Sequence, residues 1–112
     1  EYVDSEGGRP RPVMIHRALF GSIERFMGIL IEHFAGRFPL WMSPRQVRLI
    51  PIADRHVDYA REVCSQLKEL GFHVEIDESH ESVSKKVRLA QLDQVNYMLT
   101  VGDKEVENRT IA

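Results

Sequence analysis

Val47-Arg48-Leu49-Ile50-Pro51-Ile52 is followed by a helix-length stretch beginning Asp54-Arg55-His56-Val57, and then by Phe72-His73-Val74-Glu75-Ile76. The first run is short, mostly apolar and rich in branched side chains, as in a strand buried on both faces. Val57, Ala60, Val63, Cys64, Leu67 and Leu70 then recur at helical spacing, with Asp54 as the expected N-cap and Gly71 as the stop. Residues 72–76 alternate, which predicts a strand with one wetter face. A second helix is expected roughly from Glu81 to Asp93, with Val83, Val87 and Ala90 on one side, and a further strand from Asn96 to Val101. Right-handed crossovers would make these three strands parallel. Gly102-Asp103 reads as a turn into a last, antiparallel strand at Arg109-Thr110-Ile111. The expected class is therefore α/β, a mixed sheet with flanking helices.

Upstream the rhythm differs. Tyr2-Val3, a polar turn over Ser5-Glu6-Gly7-Gly8, and Val13-Met14-Ile15-His16 predict a two-stranded hairpin, which needs a larger sheet to be stable. Gly21 to Phe34 predicts a helix with Ser22 as N-cap and Gly36 as stop. Ile23, Phe26, Met27, Leu30 and Phe34 form one stripe, but Ile29 and Ile31 spread apolarity around the circumference. Such a helix asks for burial on more than one side, so it is expected to sit inside a larger body. Phe38-Pro39-Leu40-Trp41-Met42-Ser43-Pro44 is a proline-bounded connector and the expected domain junction. It divides the chain into residues 1–43 and 44–112. Trp41 reads as a packed anchor between domains, with a ligand platform as the lesser reading.

At 112 residues, 43% hydrophobic and 29% charged, the chain has room for one ordinary domain and a modest core. Its net charge of -2 predicts no strong nonspecific attraction to nucleic acid. The charge is unevenly spread. Residues 1–61 carry nine Arg, no Lys and seven acids, whereas residues 62–112 carry six basic groups and ten acids. Any RNA contact in the second half should therefore be local. One cysteine, Cys64, allows no internal disulfide and suits a reducing, cytoplasmic compartment. No run of 18 apolar residues suggests a membrane span. The opening Glu1-Tyr2-Val3-Asp4 reads as the middle of a longer protein.

Phosphate-binding glycine loops, a GxSxG elbow and HExxH are all absent. The five histidines lack paired metal-ligand spacing. Arg25, on the first turn of an apolar helix, needs a partner: Glu24, another carboxylate, or a phosphate. Lys85-Lys86 and Arg88 form a small basic cluster, read as a solvated face or a modest RNA-backbone contact. Lys104-Glu105 is expected at a hairpin tip, where Lys can donate to and Glu accept from unstacked bases.

The run Arg11-Pro12-Val13-Met14-Ile15-His16-Arg17-Ala18, continuing through Gly21-Ser22-Ile23-Glu24-Arg25-Phe26, resembles motif 3 of the threonyl-tRNA synthetase family, class II aminoacyl-tRNA synthetases. The resemblance extends through Phe38–Val47 and resumes at Tyr97-Met98-Leu99 and Val101–Glu107, so it covers the whole chain.

That resemblance implies a C-terminal fragment of a threonine–tRNA ligase: the edge of a catalytic domain, then most of an anticodon-binding domain. By matching position, Arg25 resembles the motif 3 arginine that holds the ATP phosphates, and Gly21 and Ser22 match the neighbouring turn of the adenylate pocket. His16 matches one of three protein ligands to the family's zinc; the other Cys and His ligands lie upstream, so neither zinc nor ATP is expected to be fully sited here. Lys104 and Glu105 match the hairpin facing the anticodon, and His80 stands where many members carry an asparagine. The implied partners are threonine tRNA and, for a homodimeric parent enzyme, threonine and ATP. The competing expectations are a non-catalytic α/β protein- or RNA-binding domain, or a regulatory mRNA-binding use of the same fold.

Overall fold

A computed structural model describes residues 1–112, which form two units, Glu1–Leu30 and Ile31–Ala112. The regular elements are α1 (Ile23–Phe34), β1 (Val47–Pro51), α2 (Val57–Glu69), β2 (Val74–Ile76), α3 (Val83–Leu92), β3 (Tyr97–Val101) and α4 (Asp103–Asn108).

β1 is the centre of the larger unit. Both neighbours run parallel to it in the order β2-β1-β3, with Leu49 opposite Ile76 on one side and Leu99 on the other. Leu49 and Ile50 point to opposite faces, yet both are fully buried, as expected of a strand covered on two sides. Val47 and Leu49 pack with Ala60 and Cys64 of α2, Val74 and Val101 in the main core. Ala90 of α3 is also fully buried. The buried cysteine thus fills a small core position.

Two sequence expectations change at the end of β3. Gly102 does not open a hairpin turn; it precedes α4, and the Gly102 N–H donates to Glu105 Oε2 at 2.9 Å. Residues 109–111 form no strand. Arg109 is left-handed (φ 51°) and ends α4, after which Thr100 and Ala112 exchange backbone hydrogen bonds of 2.6 and 3.3 Å. This reciprocal pair is an antiparallel contact one residue long. All three strands of the sheet are parallel.

Asp54 is not the cap of α2. Residues 54–56 form a 3-10 turn, and the Ala53 N–H donates to His56 Nδ1 at 3.2 Å. The connector is tied down locally: Gln46 donates to the Leu40 carbonyl at 2.8 Å and accepts from the His73 N–H at 2.8 Å, while Asn96 donates to the Phe38 carbonyl at 2.8 Å. Trp41 is 78% exposed and so is not a packed anchor within this chain.

In the smaller unit the predicted reversal forms but its strands do not. Asp4 Oδ1 accepts from the N–H groups of Glu6 and Gly8, and the Tyr2 N–H reaches the Pro10 carbonyl at 3.1 Å. Val13 and Ile15 are almost fully exposed, because two strands without a sheet have nothing to bury their apolar face against. α1 begins after Ser22, whose hydroxyl lies 3.4 Å from the Arg25 N–H. None of its residues is buried. Ala35 and Gly36 then take positive φ and stop it.

Leu49→Ala should cost about 2–5 kcal/mol of unfolding free energy, the range for emptying a fully buried leucine site. Leu92→Ala, at an exposed position, should change it by less than about 0.5 kcal/mol. Urea unfolding of the two variants measures both.

Candidate nucleic-acid interface

Parallel strands deliver their C-terminal ends to one edge, and three connections leave from it. Residues 52–56 leave β1, residues 77–82 leave β2, and Gly102 with the first turn of α4 leaves β3. Open parallel sheets bind ligands beyond this edge because loops from separate strands converge on it.

A cleft of about 290 Å³ opens at this edge, lined by residues 51–54 and 57 on one side, residues 78–81 on the other, and Lys86. The cleft brings His80, which is exposed, beside the turn after β1. Lys86 is buried, and its Nζ donates to the Asp77 carbonyl at 2.9 Å. The expected basic cluster is thereby dispersed: Lys86 ties α3 to the β2 connection, Lys85 pairs with Glu81 at 2.7 Å, and Arg88 is exposed. Its members have different roles, so they do not form one basic face.

Lys104 and Glu105 occupy the first turn of α4. Glu105 Oε2 is engaged by the Gly102 N–H, which fixes the carboxylate and leaves Oε1 with acceptor capacity. Ile52 Cδ1 and Glu105 Oε2 both lie about 3 Å from where a Gly102 side chain would begin. Glycine therefore lets α4 approach the Ile52 wall of the cleft. Lys104, exposed, offers a mobile donor beside this fixed acceptor.

Sequence reasoning missed the residues that hold this turn. Asp103 accepts from Arg55 Nε at 2.9 Å and Arg55 Nη2 at 2.7 Å, and its Oδ1 lies 2.8 Å from His56 Nε2. The His56 ring is buried. Since Nδ1 accepts from the Ala53 N–H, Nε2 carries the proton and donates to Asp103. The hydrogen bonds from Arg55, then that from His56, hold the Asp103 carboxyl far below the usual carboxylate range. The detectable signal was an Asp placed just after Gly102 at the end of one strand, and an Arg-His pair just after another.

At the opposite edge Arg48 bridges Glu75 and Asp93, at 3.0 and 2.9 Å, and Arg45 also reaches Asp93 at 2.9 Å. The Arg48 hydrogen bond is the main cause of a lowered Asp93 carboxyl. An apolar groove of about 270 Å³ between Leu40, Val47, Leu67, Phe72, Tyr97 and Leu99 lies near the strands' N-terminal ends. It offers little polar chemistry.

The catalytic-type residues stand in the smaller unit. Gly21 has φ 70°, and Ser22 donates its hydroxyl to Glu24 at 2.8 Å. Glu24 is thus occupied by Ser22, and Arg25 is exposed and forms no internal ion pair. His16 is exposed too. No group of three His, Cys, Asp or Glu residues in the chain is arranged to hold a metal ion. His16 alone does not make a zinc site.

Residues 46–112 match the family model described as the anticodon binding domain. The chain belongs to that family. It is 66% identical to the threonine–tRNA ligase of Protochlamydia amoebophila over 98% of this chain and 17% of that protein. Its identity to the enzyme of Chlamydia felis is 61% over 100% of this chain and 18% of the relative. For Natranaerobius thermophilus the identity is 50%, covering 99% and 18%. The chain therefore spans less than a fifth of the length of these relatives. A crystal structure of the RNA binding domain of threonyl-tRNA synthetase from Cryptosporidium parvum superposes with a TM-score of 0.79 at 41% identity, covering 86% of this chain and 24% of that one. No helix of the anticodon-binding domain or of the segment before it is long and apolar enough to cross a membrane.

The lowered Asp103 carboxyl predicts an acid-sensitive contact. The folded chain binds that proton at lower pH than the unfolded chain, so the stabilisation is complete above about pH 4, the ordinary carboxyl value, and fades as pH falls below it. Denaturant titrations of the chain and of Asp103→Asn at successive pH values should show a stability gap at neutrality that closes in acid.

Proposed function

We propose that this chain carries the anticodon-reading part of a threonine–tRNA ligase, and that His80, Lys104 and Glu105 contact anticodon bases of threonine tRNA. The observation that carries the proposal is that the β2 connection and the first turn of α4 leave the same end of a parallel sheet on either side of the turn after β1, His80 lining the cleft with Ile52 and Gly102 lying against Ile52, within the region matched to the anticodon binding domain. The chemistry suits unstacked single-stranded RNA. Glu105 offers a held acceptor for a base amino or imino group, Lys104 a donor to base carbonyls or phosphate, and His80 a ring for stacking or hydrogen bonding. The mixed charge of this edge favours local reading over broad backbone attraction.

Residues 1–43 are assigned to the edge of the parent's catalytic domain and residues 44–112 to the anticodon domain; the family match beginning at residue 46 supports this division. In the parent, a cytoplasmic homodimer that activates threonine with ATP and transfers it to tRNA, Arg25 would hold ATP phosphates beside Gly21 and Ser22. The exposed Arg25 guanidinium without an internal carboxylate partner supports that role. His16 would supply one zinc ligand. This chain's residues do not complete that metal site, and no catalytic step is assigned to it.

Two measurements test the proposal. At fixed salt the chain should bind a threonine anticodon stem-loop more tightly than a copy with altered anticodon bases. Glu105→Ala should reduce that preference by roughly tenfold, within the range for loss of a base contact; equal affinity of the unaltered chain for both RNAs would refute the assignment. Threonine-dependent pyrophosphate exchange by the 112-residue chain should be undetectable, and measurable exchange would contradict the division of labour.

A further inference from the structure

α4 has six residues, too few to hold its own orientation as an isolated helix. Its direction therefore depends on what tethers it. At its C-terminal end Arg109 pairs with Glu62, and the Tyr59 hydroxyl donates to the Thr110 carbonyl at 3.2 Å. Val106 packs against the core from between the two ends. At its N-terminal end the side-chain link is Asp103, gripped by Nε and Nη2 of Arg55 and by His56, both in the 3-10 turn that leads into α2.

The two tethers differ in what they adjoin. Asp103 immediately precedes Lys104 and Glu105. The Arg55 part of this contact is exposed and adds only modestly to global stability, so its geometry is the informative part. The planar guanidinium engages both carboxylate oxygens, which fixes rotation as well as distance. The third donor belongs to a buried ring whose other nitrogen is occupied by the Ala53 N–H. Ala53 itself lines the cleft that His80 enters. One short chain of contacts thus runs from the cleft wall, through His56, to the residue before Lys104.

We propose that Asp103, clasped by Arg55 and His56, is a positioning residue for RNA base readout, holding the first turn of α4 so that Glu105 and Lys104 face the bases presented at the cleft. This rests on the anticodon-reading assignment above. It gives Asp103, Arg55 and His56 no contact with RNA. The far tether keeps α4 folded when the near one is lost, so the expected defect is in discrimination and not in folding.

The test uses the 112-residue chain with threonine anticodon stem-loops of native and altered base sequence, across a series of salt concentrations. Asp103→Ala and Arg55→Met should each lower the native-to-altered affinity ratio by about fivefold or more, the lower end for a lost base contact. Glu62→Ala, which releases only the far tether, should leave the ratio unchanged. The salt slope should stay constant in all three, because no phosphate contact is removed. Adding Glu105→Ala to Asp103→Ala should lower the ratio by clearly less than the two single losses combined, since they share the Glu105 readout.

An unchanged ratio in Asp103→Ala, additive losses in the double variant, or a salt slope reduced by about one in Arg55→Met would overturn the proposal. If the unaltered chain itself fails to discriminate, the anticodon assignment falls and the positioning role with it. If it discriminates and Asp103→Ala does so equally well, only the positioning role falls. Should Asp103→Ala lose its cooperative melt, Arg55→Met, altered at an exposed side chain, decides the matter.

Discussion

Parallel pairing of β2 and β3 on either side of β1 is the constraint on which the rest depends. A parallel pair cannot be joined by a tight turn, so each connection must cross back over the sheet as a helix. The crossings bury both faces of β1, which is why Leu49 and Ile50 are both fully enclosed despite pointing apart. They also return every strand in the same direction. Ile52, His80 and Glu105, separated by 28 and 25 residues in sequence, consequently emerge at one end.

The two ends of the sheet have different characters. The N-terminal end has an apolar groove and the Arg45-Arg48-Glu75-Asp93 cluster, whose charges largely satisfy one another. At the C-terminal end, internal hydrogen bonds hold side chains in place without using all their capacity. Glu105 retains an acceptor oxygen after capping Gly102, and His80 and Lys104 remain exposed. Recognition favours groups whose ordering has already been accomplished by folding, because less entropy is then lost on binding.

The sequence reveals most of this fold where a single periodicity governs burial. β1, α2, β2, α3 and β3 are readable because their apolar positions repeat at intervals of two or three to four and end at Gly71, at polar turns, or at Gly102. α4 escaped that reading. Gly-Asp is a strong turn signal, and Asp-Lys-Glu lacks an apolar stripe long enough to suggest a helix. The relevant cue was Glu105 three residues after Gly102, the spacing at which a side chain returns to cap a helix start. The clasp on Asp103 was less legible still, since it joins residues 47 and 48 positions apart. The hairpin of residues 2–16 shows the opposite limit: strand-like sequence without a sheet leaves only the turn.

The resemblance singled out Glu105, Lys104 and His80 as candidates, whereas the geometry shows which of their groups folding holds and which it leaves exposed. The proposed reading edge makes a spatial claim that can be mapped residue by residue. Amide resonances of the chain should be followed during titration with a threonine anticodon stem-loop. The largest shifts should fall on residues 52–56, 78–81 and 102–105, with little change at Val47, Val74 and Tyr97. Shifts concentrated at those three N-terminal strand positions, with the C-terminal edge unmoved, would contradict the account.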